Sequence, residues 1–311
     1  MREIIFLEPV FKEMIWGGSK LKTDFGYDIP GEHTGECWAI AAHKNGDSRV
    51  AGGEFSGYTL SRLWAEHREL FGGMAVDVYP LLIKIIDATD SLSIQVHPDD
   101  EYAMKNENGS LGKTECWYIL DCDEGADIII GHNARSKEEL KSMVADGRWD
   151  DLLRKIPIKK GDFFQIDPGC LHAIRKGTVI LETQQNSDIT YRVYDYDRLS
   201  DGKPRELHTQ KALDVITAPA KEATVDIKTE KCDGFIREKL YDCEYYTVER
   251  IVVETKAKIN QPYSFMNVSV VEGAGTVDGH EIKKGSHFIL PCGYGEVEFV
   301  GNMELIVSYM R

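Results

Sequence analysis

The chain has 311 residues, 42% of them hydrophobic, and a formal net charge of −15. That length suits two core-sized units, or one large β architecture with an appendage. The acidic balance excludes the basic surface a nucleic-acid binder needs, and it requires any anionic ligand to be held by local cations against the general field.

No apolar run reaches membrane-spanning length, and the Met1 end lacks an apolar h-region, so neither a membrane span nor a signal peptide is expected. The seven cysteines, at 37, 116, 122, 170, 232, 243 and 292, form no C-x-x-C pair. That scatter fits reduced thiols and a cytoplasmic protein better than a disulfide framework. The sequence sets no oligomeric state.

Residues 1–60 alternate short strand signals with glycine turns. Thr59 to Phe71 predicts a helix, with Leu60, Leu63, Trp64 and Leu70 on one side and Gly72-Gly73 as its stop. Pro80 to Asp87 predicts a buried strand. In Ser91 to Val96, Ser93 and Gln95 share one strand face with His97, while Leu92, Ile94 and Val96 take the other. A strand with one apolar face and one face of hydroxyl, amide and imidazole makes a pocket wall. Pro98-Asp99-Asp100-Glu101 then opens a short helix, because carboxylates suit its first turn.

From about residue 113 the chain is strand-rich and repeats itself. Ile158-Lys159-Lys160-Gly161-Asp162-Phe163 to Gly169 returns as Ile282-Lys283-Lys284-Gly285-Ser286-His287 to Pro291. Each phrase is followed by a further strand, Thr178 to Gln184 and Glu296 to Val300. The first copy carries an insert, Ser136 to Ile156, with helical periodicity. Internal repetition of this kind is architectural. The repeat resembles the cupins, antiparallel jelly rolls that hold a metal in a small barrel. The expected fold is mainly β, with two cupin-type jelly-roll barrels and a few short helices. Residues 1–230 would hold the N-terminal segment and first barrel, with a helical insert at about 134–156. Residues 231–311 would form a second, metal-free barrel, since its copy lacks the matching histidine and glutamate.

Three residues suit a divalent transition metal with an open coordination position: His97 ahead of the first copy, and Glu115 and His172 within it. Glu115 stands among Cys116, Trp117, Tyr118 and Ile119. A buried carboxylate there needs a cation, supplied by the metal with Lys113 beside it on the same face. On the strand after the first repeat phrase, Glu182 and Gln184 face the barrel together. Arg192 and Arg198 follow amid tyrosines, and two arginines on an acidic chain are natural holders of phosphate or a polyhydroxyl anion.

Taken together, S-L-S-I-Q-V-H-P-D-D-E-Y-A (91–103), G-K-T-E-C-W-Y-I-L (112–120), P-G-C-L-H-A-I (168–174) and L-E-T-Q-Q-N-S-D-I-T-Y-R-V-Y-D-Y-D-R (181–198) resemble the type I mannose-6-phosphate isomerases in their short bacterial form. The resemblance implies a zinc-dependent aldose–ketose isomerase that interconverts mannose 6-phosphate and fructose 6-phosphate through an enediol. It implies one Zn2+ per chain, held by Gln95, His97, Glu115 and His172. It makes Arg192 catalytic, places Lys113 and Glu182 in the pocket as alternative proton carriers, and gives the phosphate to Ser93 and Arg198. Arg198 lies six residues beyond Arg192, about 20 Å in extended chain, so a bend is expected in the Tyr-Asp-Tyr-Asp stretch. The partner is a small sugar phosphate, with no nucleic acid and no membrane. A non-catalytic sugar-phosphate-binding cupin is the first alternative, and Lys113, Glu182 and Arg192 argue against it. The second is an iron cupin oxygenase, and Gln95 in place of a first histidine argues against that one.

Overall fold

The computed structural model describes residues 3–200 and 202–310. The chain is mainly β, and every strand pairing is antiparallel. Two β units share a seam.

The first unit sets a six-stranded sheet, built from Phe163–Ile166, Glu115–Cys122, Thr178–Gln185, Leu81–Ala88, Val10–Gly18 and Thr34–Ile40, against a five-stranded sheet. The latter runs Leu153–Pro157, Asp127–His132, His172–Ala173, Ile94–Val96 and Tyr191–Tyr194. Trp16, Ile86, Trp117, Ile119, Ile130, Ile166 and Ile180 fill the space between them as one apolar cluster. The alternation of Thr178–Gln185 follows the period-two rule: Ile180 joins that cluster, whereas Val179 and Leu181 join the core facing the second unit.

The second unit is one ten-stranded sheet coiled around Val268, Val270, Phe288, Leu290, Phe299 and Leu305. Two of its strands come from the far end of the chain. Ile5–Glu8 pairs with His287–Pro291, and Arg49–Val50 extends the edge. The strand Lys228–Cys232 also belongs to this sheet. A cut at residue 230 therefore does not divide the two sheets, because a periodicity cannot tell a strand which distant edge it will complete.

The repeat phrases fold alike. Gly161 and Gly285 each turn the chain at positive φ, +90° and +88°, where a Cβ is strained. The preceding lysines, Lys160 and Lys284, both pair with Glu272, at 3.1 and 3.3 Å.

Three expected elements are corrected. The helix expected over Thr59 to Phe71 breaks at His67 into the α-helix Leu60–Glu66 and a 3-10 turn, Arg68–Phe71. The insert holds two helices, Lys137–Ala145 and Trp149–Leu152, but its last part is the edge strand Leu153–Pro157. The second-copy strand expected at Glu296 to Val300 runs longer, as Gly295–Tyr309. The helix Asp100–Asn106 does open as expected, with the Asp99 side chain accepting from the Tyr102 amide. No helix of the described residues is long and apolar enough to cross a membrane.

Candidate active site

Sheet register assembles the site. On the five-stranded sheet, Gln95 is the register partner of His172 on one side and of Arg192 on the other. On the facing sheet, Glu115 pairs with Gln184, while Trp117, Glu182, Lys84 and Trp38 form one row across four strands. The two polar faces meet above the isoleucine floor, around a pocket of about 120 Å³. Its lining includes Trp16, Glu36, Lys84, Ser93, Gln95, Lys113, Glu182, Arg192 and Arg205.

His97, Glu115 and His172 converge. One ligand atom from each lies within 4.8 Å of the others, and all three residues are buried. His97 Nε2 is 3.3 Å from Glu115 Oε2, and His172 Nε2 is 3.5 Å from Glu115 Oε1. The second ring nitrogens face backbone carbonyls, His97 Nδ1 at 2.8 Å from Ile189 O and His172 Nδ1 at 2.9 Å from Cys170 O. Such bonds fix each imidazole with its lone pair on Nε2, turned inward, as a metal ligand requires. Gln95 Nε2 stands 3.4 Å from His172 Nε2, so its amide head reaches the same point. Lys113 Nζ is drawn to within 2.6 Å of Glu115 Oε2 and 3.3 Å of His97 Nε2. This donor set, two neutral imidazoles and a carboxylate with an amide beside them, fits a divalent cation. Among the described residues it is the one group of three potential ligands so arranged. In the second unit His280 is exposed, and both ring nitrogens of His287 are engaged, by Tyr27 and Ser269.

Next to this cluster runs a chain of alternating charge. Glu182 Oε2 is 3.3 Å from Lys84 Nζ and 3.9 Å from Lys113 Nζ, and Lys84 Nζ is 3.9 Å from Glu36 Oε2. The Trp117 indole donates to both Glu115 Oε1, at 3.0 Å, and Glu182 Oε1, at 3.2 Å. The Trp38 indole donates to Glu36 Oε2 at 2.6 Å. The Oε2 atoms of Glu115 and Glu182 are buried and face ammonium groups, Lys113 and Lys84.

These surroundings separate the two carboxylates. Burial raises the Glu115 carboxyl, but Lys113 and the two histidines outweigh it and hold it well below the ordinary range. Burial and the neighbouring Glu115 charge raise Glu182, against the pull of Lys113 and Lys84. Lys113 is raised, since Glu115 and Glu182 outweigh its desolvation. Burial, with Lys113 beside it, lowers His97 to about 3.

The chain bends where the tyrosine–aspartate stretch was expected to bend, with Tyr196 at φ 56° and Asp197 at φ 55°. The bend does not bring Arg198 into the pocket. Its guanidinium donates to Asp195 Oδ1 at 2.6 Å, Ser91 O at 2.6 Å and Asp90 Oδ2 at 3.2 Å. Ser93 and Arg192 do line the pocket, and so does Arg205. Sequence reading missed Glu36, Lys84, Trp117 and Arg205. A signal existed for Lys84, a lone lysine inside the fully buried strand Leu81–Ala88, because a buried ammonium needs a partner.

Known proteins were compared with this architecture. The model of the type I phosphomannose isomerase catalytic domain matches residues 4–120, and that of the mannose-6-phosphate isomerase cupin domain matches residues 237–310. The chain is 50% identical to mannose-6-phosphate isomerase ManA of Bacillus subtilis, covering 99% of each chain. It is 48% identical to a mannose-6-phosphate isomerase of Streptococcus mutans, again over 99% of each. A crystal structure of a Bacillus subtilis mannose 6-phosphate isomerase is 52% identical and superposes with a TM-score of 0.97 over 99% of both chains.

Proposed function

The chain belongs to the type I phosphomannose isomerase family, and we propose that it interconverts mannose 6-phosphate and fructose 6-phosphate, using zinc, through an enediol. The observation that carries the mechanism is a buried His97/Glu115/His172 cluster tied through the Trp117 indole to an unequal second carboxylate, Glu182, which lines the adjoining pocket.

His97, Glu115 and His172 would hold the metal, with Gln95 as a fourth contact. When bound, zinc supplies Lewis acidity to the two substrate oxygens that exchange carbonyl and hydroxyl character. Glu182 is the proton carrier between the two adjacent carbons. Its raised affinity for a proton brings it toward the working pH, which general base catalysis favours. Lys113 is the weaker candidate, because Glu115 and Glu182 keep it an ammonium. It instead balances the two carboxylates beside the metal. Trp117 ties both carboxylates to one donor and fixes their spacing. Arg192 adds positive charge for the oxyanion that develops in the enediol.

Seven free thiols support a cytoplasmic setting. The C-terminal barrel, in this reading, packs against the first and does no chemistry.

Metal content measured alongside a coupled assay on mannose 6-phosphate tests the proposal. One zinc per chain with turnover that disappears on chelation is the expected result. Turnover that survives complete metal removal would overturn the zinc assignment, and absence of turnover in zinc-loaded protein would overturn the isomerase reading.

A further inference from the structure

We propose that Arg205, rather than Arg198, completes the phosphate subsite with Arg192 and Ser93, and that Asp195 is the positioning residue that aims it. This rests on the isomerase reading above and names the contacts that would select a phosphorylated sugar.

Arg198 and Arg205 differ in which donors are free. Arg198 is nearly used up, with four of its five N–H groups engaged. Its Nη1 serves Ser91 O and Asp90, its Nη2 serves Asp195 Oδ1, and its Nε lies 3.3 Å from Asp195 O. The guanidinium also lies over the Tyr196 ring, 5.0 Å from its centroid. It is a staple that closes the bend at Tyr196 and Asp197. Arg205 is used along one edge only. Its Nε donates to Asp195 Oδ2 at 2.7 Å and its Nη2 to Asp195 Oδ1 at 2.6 Å, a bidentate pair that locks the plane of the fork. Its Nη1 has no hydrogen-bond partner among the described residues, and the side chain lines the pocket.

Arg192 supplies the complementary half. Its Nε is buried and has no hydrogen-bond partner. Its backbone is tied to the segment after Arg205: His208 N donates to Arg192 O at 2.7 Å, and Arg192 N lies 3.2 Å from His208 Nδ1. Two guanidiniums thus share a pocket, and Asp195, which pairs with one of them, is already divided between Arg198 and Arg205. Burial and then the Arg205 charge weaken the hold of Arg192 on its own proton. An anion between the two forks relieves that repulsion and satisfies the orphan donor. A phosphate dianion offers the several acceptor oxygens that two planar forks and a serine hydroxyl can share. In a chain of net charge −15, this local excess of cations is where an anionic group can be held.

The test compares Arg205→Gln, Arg205→Lys, Arg198→Gln and Asp195→Asn in zinc-loaded full-length protein, with circular-dichroism melting as the folding control. Steady-state kinetics would be taken with mannose 6-phosphate and with unphosphorylated mannose, and with inorganic phosphate as inhibitor. Arg205→Gln should raise KM for mannose 6-phosphate about tenfold or more, with a much smaller change in kcat. The inhibition constant of inorganic phosphate should rise in parallel, and the preference for the phosphorylated over the free sugar should fall by a similar factor. Arg205→Lys should recover part of the loss. Asp195→Asn should reproduce the KM effect in a folded protein, and Arg198→Gln should chiefly lower the melting temperature. A wild-type KM and phosphate inhibition in Arg205→Gln would overturn the proposal. So would their loss in a stable Arg198→Gln protein. Calorimetric binding of inorganic phosphate to wild type and Arg205→Gln reads the subsite without turnover. Equal affinity there rejects the subsite, whereas a missing reaction with an Arg205-dependent phosphate site rejects only the isomerase reading.

Discussion

Lys84 and Glu182 face each other in register on adjacent strands, and their charged ends meet 3.3 Å apart inside the first barrel. Neither is explained by apolar packing, since each is a charged side chain buried to within a few per cent. Together they form the middle of the row that links Glu36 to Glu115.

Removing Lys84 should move the pH profile. In the proposed mechanism Glu182 is a base when ionised, and Lys84 favours the ionised form against burial and the Glu115 charge. Without that cation Glu182 holds its proton to higher pH. The acid limb of kcat/KM in Lys84→Met should therefore shift upward relative to wild type. A limb that stays in place or moves down would mean that another group titrates in the reaction.

Glu115→Gln should empty the metal site. The substitution keeps the shape and an acceptor for the Trp117 indole, but removes the charge between His97 and His172. Zinc affinity should fall about 10²-fold or more, and turnover with it. Elemental analysis after dialysis checks this, and retention of one zinc per chain would show that Glu115 is not a ligand.

Arg192→Ala should act on turnover. Losing a preorganised charge aimed at a developing oxyanion costs on the order of 10²-fold in kcat. Because the same fork is proposed to reach the phosphate, KM should rise as well; a variant with wild-type kcat would remove Arg192 from the reacting carbons, and one with wild-type KM would remove it from the phosphate.

His287 should make stability fall in acid. Burial lowers it to about 3 in the folded chain, against an unfolded value of about 6.5. Its neutral ring is satisfied by Tyr27 OH at 2.7 Å and Ser269 Oγ at 2.9 Å. Below about pH 6.5 the unfolded chain takes up a proton there that the folded chain refuses, so stability is lost as pH drops through that window. The slope from one such group is at most about 1.4 kcal/mol per pH unit. Urea melts at pH 7.5 and 5 should show wild type losing more stability than His287→Gln over the interval. Equal losses would remove His287 from the account.

Local pattern carried the His97, Glu115 and His172 cluster. A period of two is a property of the extended backbone itself, so Gln95 and His97, Lys113 and Glu115, and Glu182 and Gln184 could be paired on strand faces from the sequence. The same holds for the turn glycines of the repeat, Gly161 and Gly285, and for the Asp99 cap, where one residue's conformation or one side chain settles the matter. The break at His67 was not legible, because the apolar spacing of Leu60, Leu63, Trp64 and Leu70 continues across it.

What only the tertiary structure decided was which strands lie side by side and which side chains then meet. Lys84 and Glu36 joined the site because the register of Leu81–Ala88 against its neighbours sets them beside Glu182. Ile5–Glu8 left its sequence neighbours to complete a sheet more than 280 residues away along the chain. Arg198 and Arg205 carry the same side chain, and the motif resemblance pointed to Arg198 while Arg205 went unmarked. Asp195 distinguishes them, consuming one along the bend and aiming the other into the pocket. Such choices depend on contacts between segments that are remote in sequence. Strand periodicity constrains the face a residue takes and says nothing of its neighbour across the ladder.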